Sequence, residues 1–77
     1  MERLLGVLAE ALGIPRASLS PESEAGQVEG WDSMGTLQIV TAVQAAYSVE
    51  LSLDDMAEMN DVPAVKRVLE RLGHEVS

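Results

Sequence analysis

The chain has no cysteine and no phenylalanine, and only one tryptophan, one tyrosine and one histidine among its 77 residues. Without cysteine there is neither a disulfide framework nor a thiolate metal site. Any thiol chemistry has to be brought in from outside. The sole histidine, His74, follows the last apolar segment, in what reads as a solvated, fraying tail. With so few aromatic side chains the core must be aliphatic. Basic residues are scarce too. Five Lys and Arg face thirteen Asp and Glu, for a net charge of -8. That balance argues against a nucleic-acid partner, because neutralising phosphates needs a basic surface. It favours solubility and partners that carry basic patches. No apolar run approaches the roughly 20 residues that cross a bilayer, so stable membrane insertion is not expected. The first residues mix Glu2 and Arg3 with leucines, unlike a secretory leader. The expectation is a cytoplasmic monomer.

What is present fits one small domain over residues 1–77. A chain of this length buries little more than about 60% of its unfolded surface, which leaves little room for a deep substrate pocket. Apolar residues recur at helical spacing in four segments. Met1 to Leu12 places Leu4, Leu5, Val7, Leu8, Ala11 and Leu12 on one face, with Glu2, Arg3, Gly6 and Glu10 opposite. Gly13 suits a left-handed cap, and Pro15 keeps the helix from resuming. Residues 14–32 form a long connection rich in Pro, Ser and Gly, which Leu19 and Val28 pin to the core; a short helical turn is expected within Glu22 to Glu29. Ser33 to Ser48 is the second helix, with Leu37, Ile39, Val40, Val43 and Tyr47 on a broad apolar face and Gln38, Thr41, Ala45 and Ser48 roughly opposite. Ser52 and Asp55 make a weak capping box for a short third helix, Leu53 to Met59. Asp61 caps the fourth, Pro63 sits in its first turn, and Val62, Val65, Val68, Leu69 and Leu72 form its stripe before Gly73 closes it. The fold class is therefore all-α: a four-helix bundle with a long loop between helices 1 and 2 and a short third helix. Strict alternation is absent, and Val49 to Leu53, the nearest approach to a strand, is too short to form a sheet.

The second helix begins at Gly30-Trp31-Asp32-Ser33-Met34. A helix start offers free N–H groups and a partial positive charge, a setting that suits a phosphate ester on Ser33. Asp32 can cap the helix. Its charge opposes a neighbouring phosphate, so capping and recognition by a modifying enzyme are its better roles. An Asp-Ser pair before a helix is also an ordinary N-cap arrangement. A nucleophilic role for Ser33 lacks a base, and no Gly-x-Ser-x-Gly elbow surrounds it. No catalytic residue and no metal ligand is assigned. Asp54, Asp55 and Glu58 do not follow a calcium-loop pattern and read as the solvated start of helix 3.

The run Trp31-Asp32-Ser33-Met34, near mid-chain after a long loop and heading the longest helix, resembles the attachment site of the acyl carrier protein family. That family includes the D-alanyl, aminoacyl and peptidyl carriers. The likeness covers essentially the whole chain and is strongest from Gly30 to Leu72. It implies that a 4′-phosphopantetheine arm from coenzyme A is attached to Ser33, and that the chain is a discrete, non-catalytic carrier. It further implies three kinds of partner: a phosphopantetheinyl transferase, a loading ligase or acyltransferase, and a downstream synthase or transferase. Partner recognition is expected at Asp32, Met34, Leu37, Gln38 and Met56, since methionine packs adaptably on surfaces that meet several partners. Met59 is expected in the core.

The chain departs from the fatty-acid type. From Met34 through Val49 helix 2 has no charged residue, where many such carriers are acidic. This points to partners read by shape and apolar contact, and so to a specialised, polyketide- or nonribosomal-type pathway. Asp-Ser-Met-Gly-Thr also looks like the D-alanyl carriers of cell-envelope modification. An unmodified helical interaction domain is the remaining alternative. A short acyl chain is accommodated, if at all, between helices 2, 3 and 4.

Overall fold

The computed structural model describes residues 1–76. It contains four α-helices in chain order: α1 (Glu2–Leu12), α2 (Ser33–Tyr47), α3 (Leu53–Glu58) and α4 (Val62–Arg71). Two single 3-10 turns, Arg16–Ser18 and Ala25–Gln27, interrupt the long α1–α2 connection. The second lies inside the stretch where a turn is expected; the first has no apolar periodicity to announce it. Among the described residues there is no strand, only an isolated bridge between Glu24 and Asp61.

Local chemistry sets the helix ends. Gly13 adopts the left-handed conformation and returns its N–H to α1 carbonyls, while Asp32, Ser52 and Asp61 each accept an N–H in the first turn of α2, α3 and α4. The capping box of α3 is complete, with Ser52 accepting from Asp55 N–H and Asp55 accepting from Ser52 N–H. The α2 C-terminus has no glycine. Ser48 takes the left-handed conformation instead, at φ 54.

The core is aliphatic. Leu4, Leu5, Leu8, Ile39, Val43, Met59, Val62, Val65, Val68 and Leu69 are all fully buried. Burying each such side chain is worth about 1.5–3 kcal/mol against leaving it in water. α1 packs chiefly on α2, and α3 on α4. The long connection is held in three places. Leu19 is buried, Val28 packs on the core, and Ser23 and Ala25 exchange backbone bonds with Val62 and Asn60.

Five expectations change. Leu37 is exposed and does not join the core face of α2; Leu72 is likewise partly exposed at the end of the α4 stripe. Ala9 is buried, whereas Val7, Ala11 and Leu12 are only half-buried at the edge of the α1 face. Asp55 is not solvated. Its carboxylate is covered and bonded by Arg71 of α4, which also holds Glu58. Finally, the C-terminal segment is docked. His74 N–H donates to the Leu69 carbonyl (2.9 Å), the imidazole meets the Tyr47 ring edge-on, and Val76 is buried. Arg3 stacks on Tyr47, 4.6 Å from its centroid, and donates to the Ala46 carbonyl.

Candidate functional site

The long connection approaches α2 through two residues of opposite character. Gly30 turns the chain at φ 86, a conformation that disfavours side chains, and Trp31 then drives its ring into the core, where it is 3% exposed. Trp31 N–H donates to the Val28 carbonyl (3.1 Å), while the buried indole N–H has no partner among the described residues. The buried ring fixes where the next residue must start. Asp32 is extended, and its Oδ1 accepts the Gly35 N–H at 2.9 Å. The Asp32 carbonyl accepts the first helical bond, from Thr36 N–H at 2.8 Å.

Ser33 is therefore the first residue of a 15-residue helix, and it is exposed. Among the described residues no acceptor takes the Ser33 or Met34 N–H, and no group bonds the Ser33 hydroxyl. These free donors and the positive end of the helix dipole favour an anion here by about 0.3–1 kcal/mol. His74 is remote, because it packs on Tyr47 at the other end of α2. The helix rise puts that end about 21 Å away.

Of the expected partner-recognition residues, Asp32, Met34, Leu37 and Gln38 lie exposed on the first turns of α2, with Met34 65% and Leu37 60% accessible. Met56 does not resemble them. It is half-buried against the core. Leu53, the first residue of α3, is 83% exposed and was not singled out from the sequence. A helix of six residues is too short for its phase to be read reliably from apolar spacing.

Gly35 is the second feature missed. It is buried, and a methyl carbon there would lie 2.1 Å from the Gly30 carbonyl oxygen and 2.9 Å from a Leu12 methyl. A steric demand therefore accounts for the glycine that gave part of the likeness to D-alanyl carriers, so its presence does not speak to cargo. A groove of about 460 Å³ lies between α1 and α2, lined by Val7, Glu10, Ala11, Ala42, Ala45 and Ala46; it shares α2 with the expected acyl site but involves α1 in place of α3 and α4. No helix among the described residues is long and apolar enough to cross a membrane.

A family model described as phosphopantetheine attachment site matches residues 2–72, and the chain belongs to that family. Its members carry covalently attached 4′-phosphopantetheine, perform no catalysis themselves, and work with transferases and synthases.

Proposed function

We propose that this carrier bears its arm on Ser33 and that a phosphopantetheinyl transferase installs it from coenzyme A. The observation that carries this reading is the exposed, unbonded Ser33 hydroxyl at the capped start of α2. The residues present suit the group. The hydroxyl is accessible, and the free N–H groups of Ser33 and Met34 face the position a phosphodiester would take. In the transfer, Ser33 Oγ forms a bond to phosphorus and gives up its proton to a base of the transferase. The pyrophosphate P–O bond of coenzyme A breaks, and adenosine 3′,5′-bisphosphate leaves. The bound arm supplies a terminal thiol that holds an acyl or aminoacyl group as a thioester, which a chain without cysteine cannot supply itself. Tethering raises the local concentration of that group at each enzyme in turn.

The same reading assigns partner contact to the first turns of α2. Met34, Leu37 and Gln38 surround the attachment point on a face free of charge from Met34 to Val49. An apolar face of this kind suits loading and downstream enzymes that recognise shape, and so a specialised, polyketide- or nonribosomal-type pathway in the cytoplasm over primary fatty-acid synthesis. An aminoacyl carrier is the second reading, favoured by Asp32-Ser33-Met34 and Thr36 once Gly35 is set aside as a packing requirement.

Incubation with coenzyme A and a broad-specificity transferase, followed by intact mass, tests the attachment. The wild type gains the mass of one arm and Ser33→Ala gains none. A gain that survives Ser33→Ala sinks the assignment. The adduct mass of protein purified from its host separates acyl from aminoacyl cargo.

A further inference from the structure

We propose that the contact between Gly30 and Gly35 is a latch that aims the Ser33 hydroxyl, which makes Gly35 a positioning residue for arm transfer. The proposal rests on Ser33 being the attachment point.

Three restraints converge on the two residues between Gly30 and the start of α2, Trp31 and Asp32. The buried Trp31 ring holds one side of the turn, and the Asp32 cap to Gly35 N–H holds the other. The third is the close seat of the Gly30 carbonyl on Gly35, in space that any Cβ would occupy. The end of α1 closes the junction. A Leu12 methyl abuts Gly35, and the Leu12 carbonyl lies 3.6 Å from where a Gly30 Cβ would stand. Gly30 can meet Gly35 only because its own φ of 86 suits glycine. The first turn of α2, the turn and the end of α1 are thus fitted together through two missing side chains. A helix start with a cap alone would leave the angle between turn and helix free to vary. Here that angle is fixed by backbone contact, and Ser33 lies inside the fixed segment.

A methyl at Gly35 must push the Gly30 carbonyl away, because backbone cannot yield as a flexible side chain does. The movement reaches Asp32 and Ser33 before it reaches the rest of the core. Displacements on the ångström scale at a reacting atom reduce rate strongly while leaving docking largely intact.

The test compares wild type, Gly35→Ala, Ser33→Ala and Val68→Ala, each checked for helicity and amide chemical shifts. Val68 is buried in α4 and is not among the atoms that meet Gly30 or Gly35, so its truncation is the control for destabilisation alone. Conversion to the arm-bearing form is followed by mass at several carrier concentrations. The latch predicts that folded Gly35→Ala shows shift changes concentrated in residues 28–36 and a roughly tenfold or greater fall in kcat with a smaller change in KM. It predicts that Val68→Ala keeps the wild-type kcat. Wild-type kcat in folded Gly35→Ala, or an equal fall in Val68→Ala, overturns the latch and leaves the Ser33 assignment standing. If Gly35→Ala does not fold, Gly30→Ala carries the same prediction and the same refutation, since it strains the turn without entering α2. If the wild type gains no arm, or Ser33→Ala still gains one, the Ser33 assignment fails and the latch falls with it.

Discussion

Arg71, in the last turn of α4, bonds the carboxylate of Asp55 across the α3–α4 junction and holds Glu58 at 2.8 Å through the same nitrogen. The Ser52 N–H bond first, and then Arg71, hold Asp55 below its ordinary value; Arg71 does the same for Glu58. Both carboxylates have lowered folded-state values. Their contribution is therefore complete above the ordinary carboxylate range and is lost as pH falls through the lowered values. Acid is expected to loosen α3 below about pH 4. Hydrogen exchange of the α3 amides should quicken there in the wild type. In Arg71→Met it should already be fast at neutral pH, with a smaller acid dependence that comes from the capping box alone. Equal α3 protection in the two proteins at neutral pH would remove the ion pair from the account.

Two backbone positions hold the wrong residue for stability. Gly6 sits inside α1 with nothing within 4 Å of a Cβ, and Ser48 is left-handed at φ 54. Gly6→Ala should stabilise by about 0.5–1 kcal/mol. Ser48→Gly should add up to about 1 kcal/mol, because the left-handed region costs a side chain roughly that much. The sites are on different helices, so the gains should nearly add, and Tm should rise about 4–8 °C per kcal/mol. Thermal unfolding of the two variants and their combination checks this.

The helices were legible because each carries its own local signals. The Asp32, Ser52 and Asp61 caps, Gly13, Pro63 and the valine stripe of α4 act over four or five residues, and the sequence displays them. The start of α2 at Ser33 was legible for the same reason. Contacts between segments distant in sequence were not. Nothing near Asp55 announces Arg71, and nothing near Gly35 announces the Gly30 carbonyl or the Leu12 methyl. The direction of Leu37 failed differently. Helical spacing places it at the margin of the apolar face of α2, and only the position of the neighbouring elements leaves it in solvent.

The segment after α4 tests the docked tail. Val76 is buried and His74 lies against Tyr47, whose ring Arg3 also covers. Val76→Asp should cost about 1–3 kcal/mol, since it buries an unpaired charge in place of an apolar side chain. A frayed tail predicts no change in denaturant midpoint. Tyr47 fluorescence should report the loss locally, while transfer of the arm to Ser33 should proceed at the wild-type rate.

Asp32 has a structural role in the Gly35 N–H bond, and the proposed function gives it a second role toward the modifying enzyme. Two substitutions separate them. Asparagine caps a helix about as well as aspartate, so Asp32→Asn should keep the wild-type stability, while Asp32→Ala should lose about 1 kcal/mol. The transferase must bring coenzyme A, with its anionic pyrophosphate, to Ser33, and a carboxylate beside the hydroxyl can help hold the metal ion that offsets this charge. If so, Asp32→Asn should be modified more slowly than wild type despite its intact cap, and Asp32→Ala, which also loses a restraint on the turn, more slowly still. Equal modification of Asp32→Asn and wild type would confine Asp32 to capping. Paired denaturation midpoints and arm-transfer rates for the three proteins decide the matter, because wild type and Asp32→Asn differ in the charge while sharing the cap.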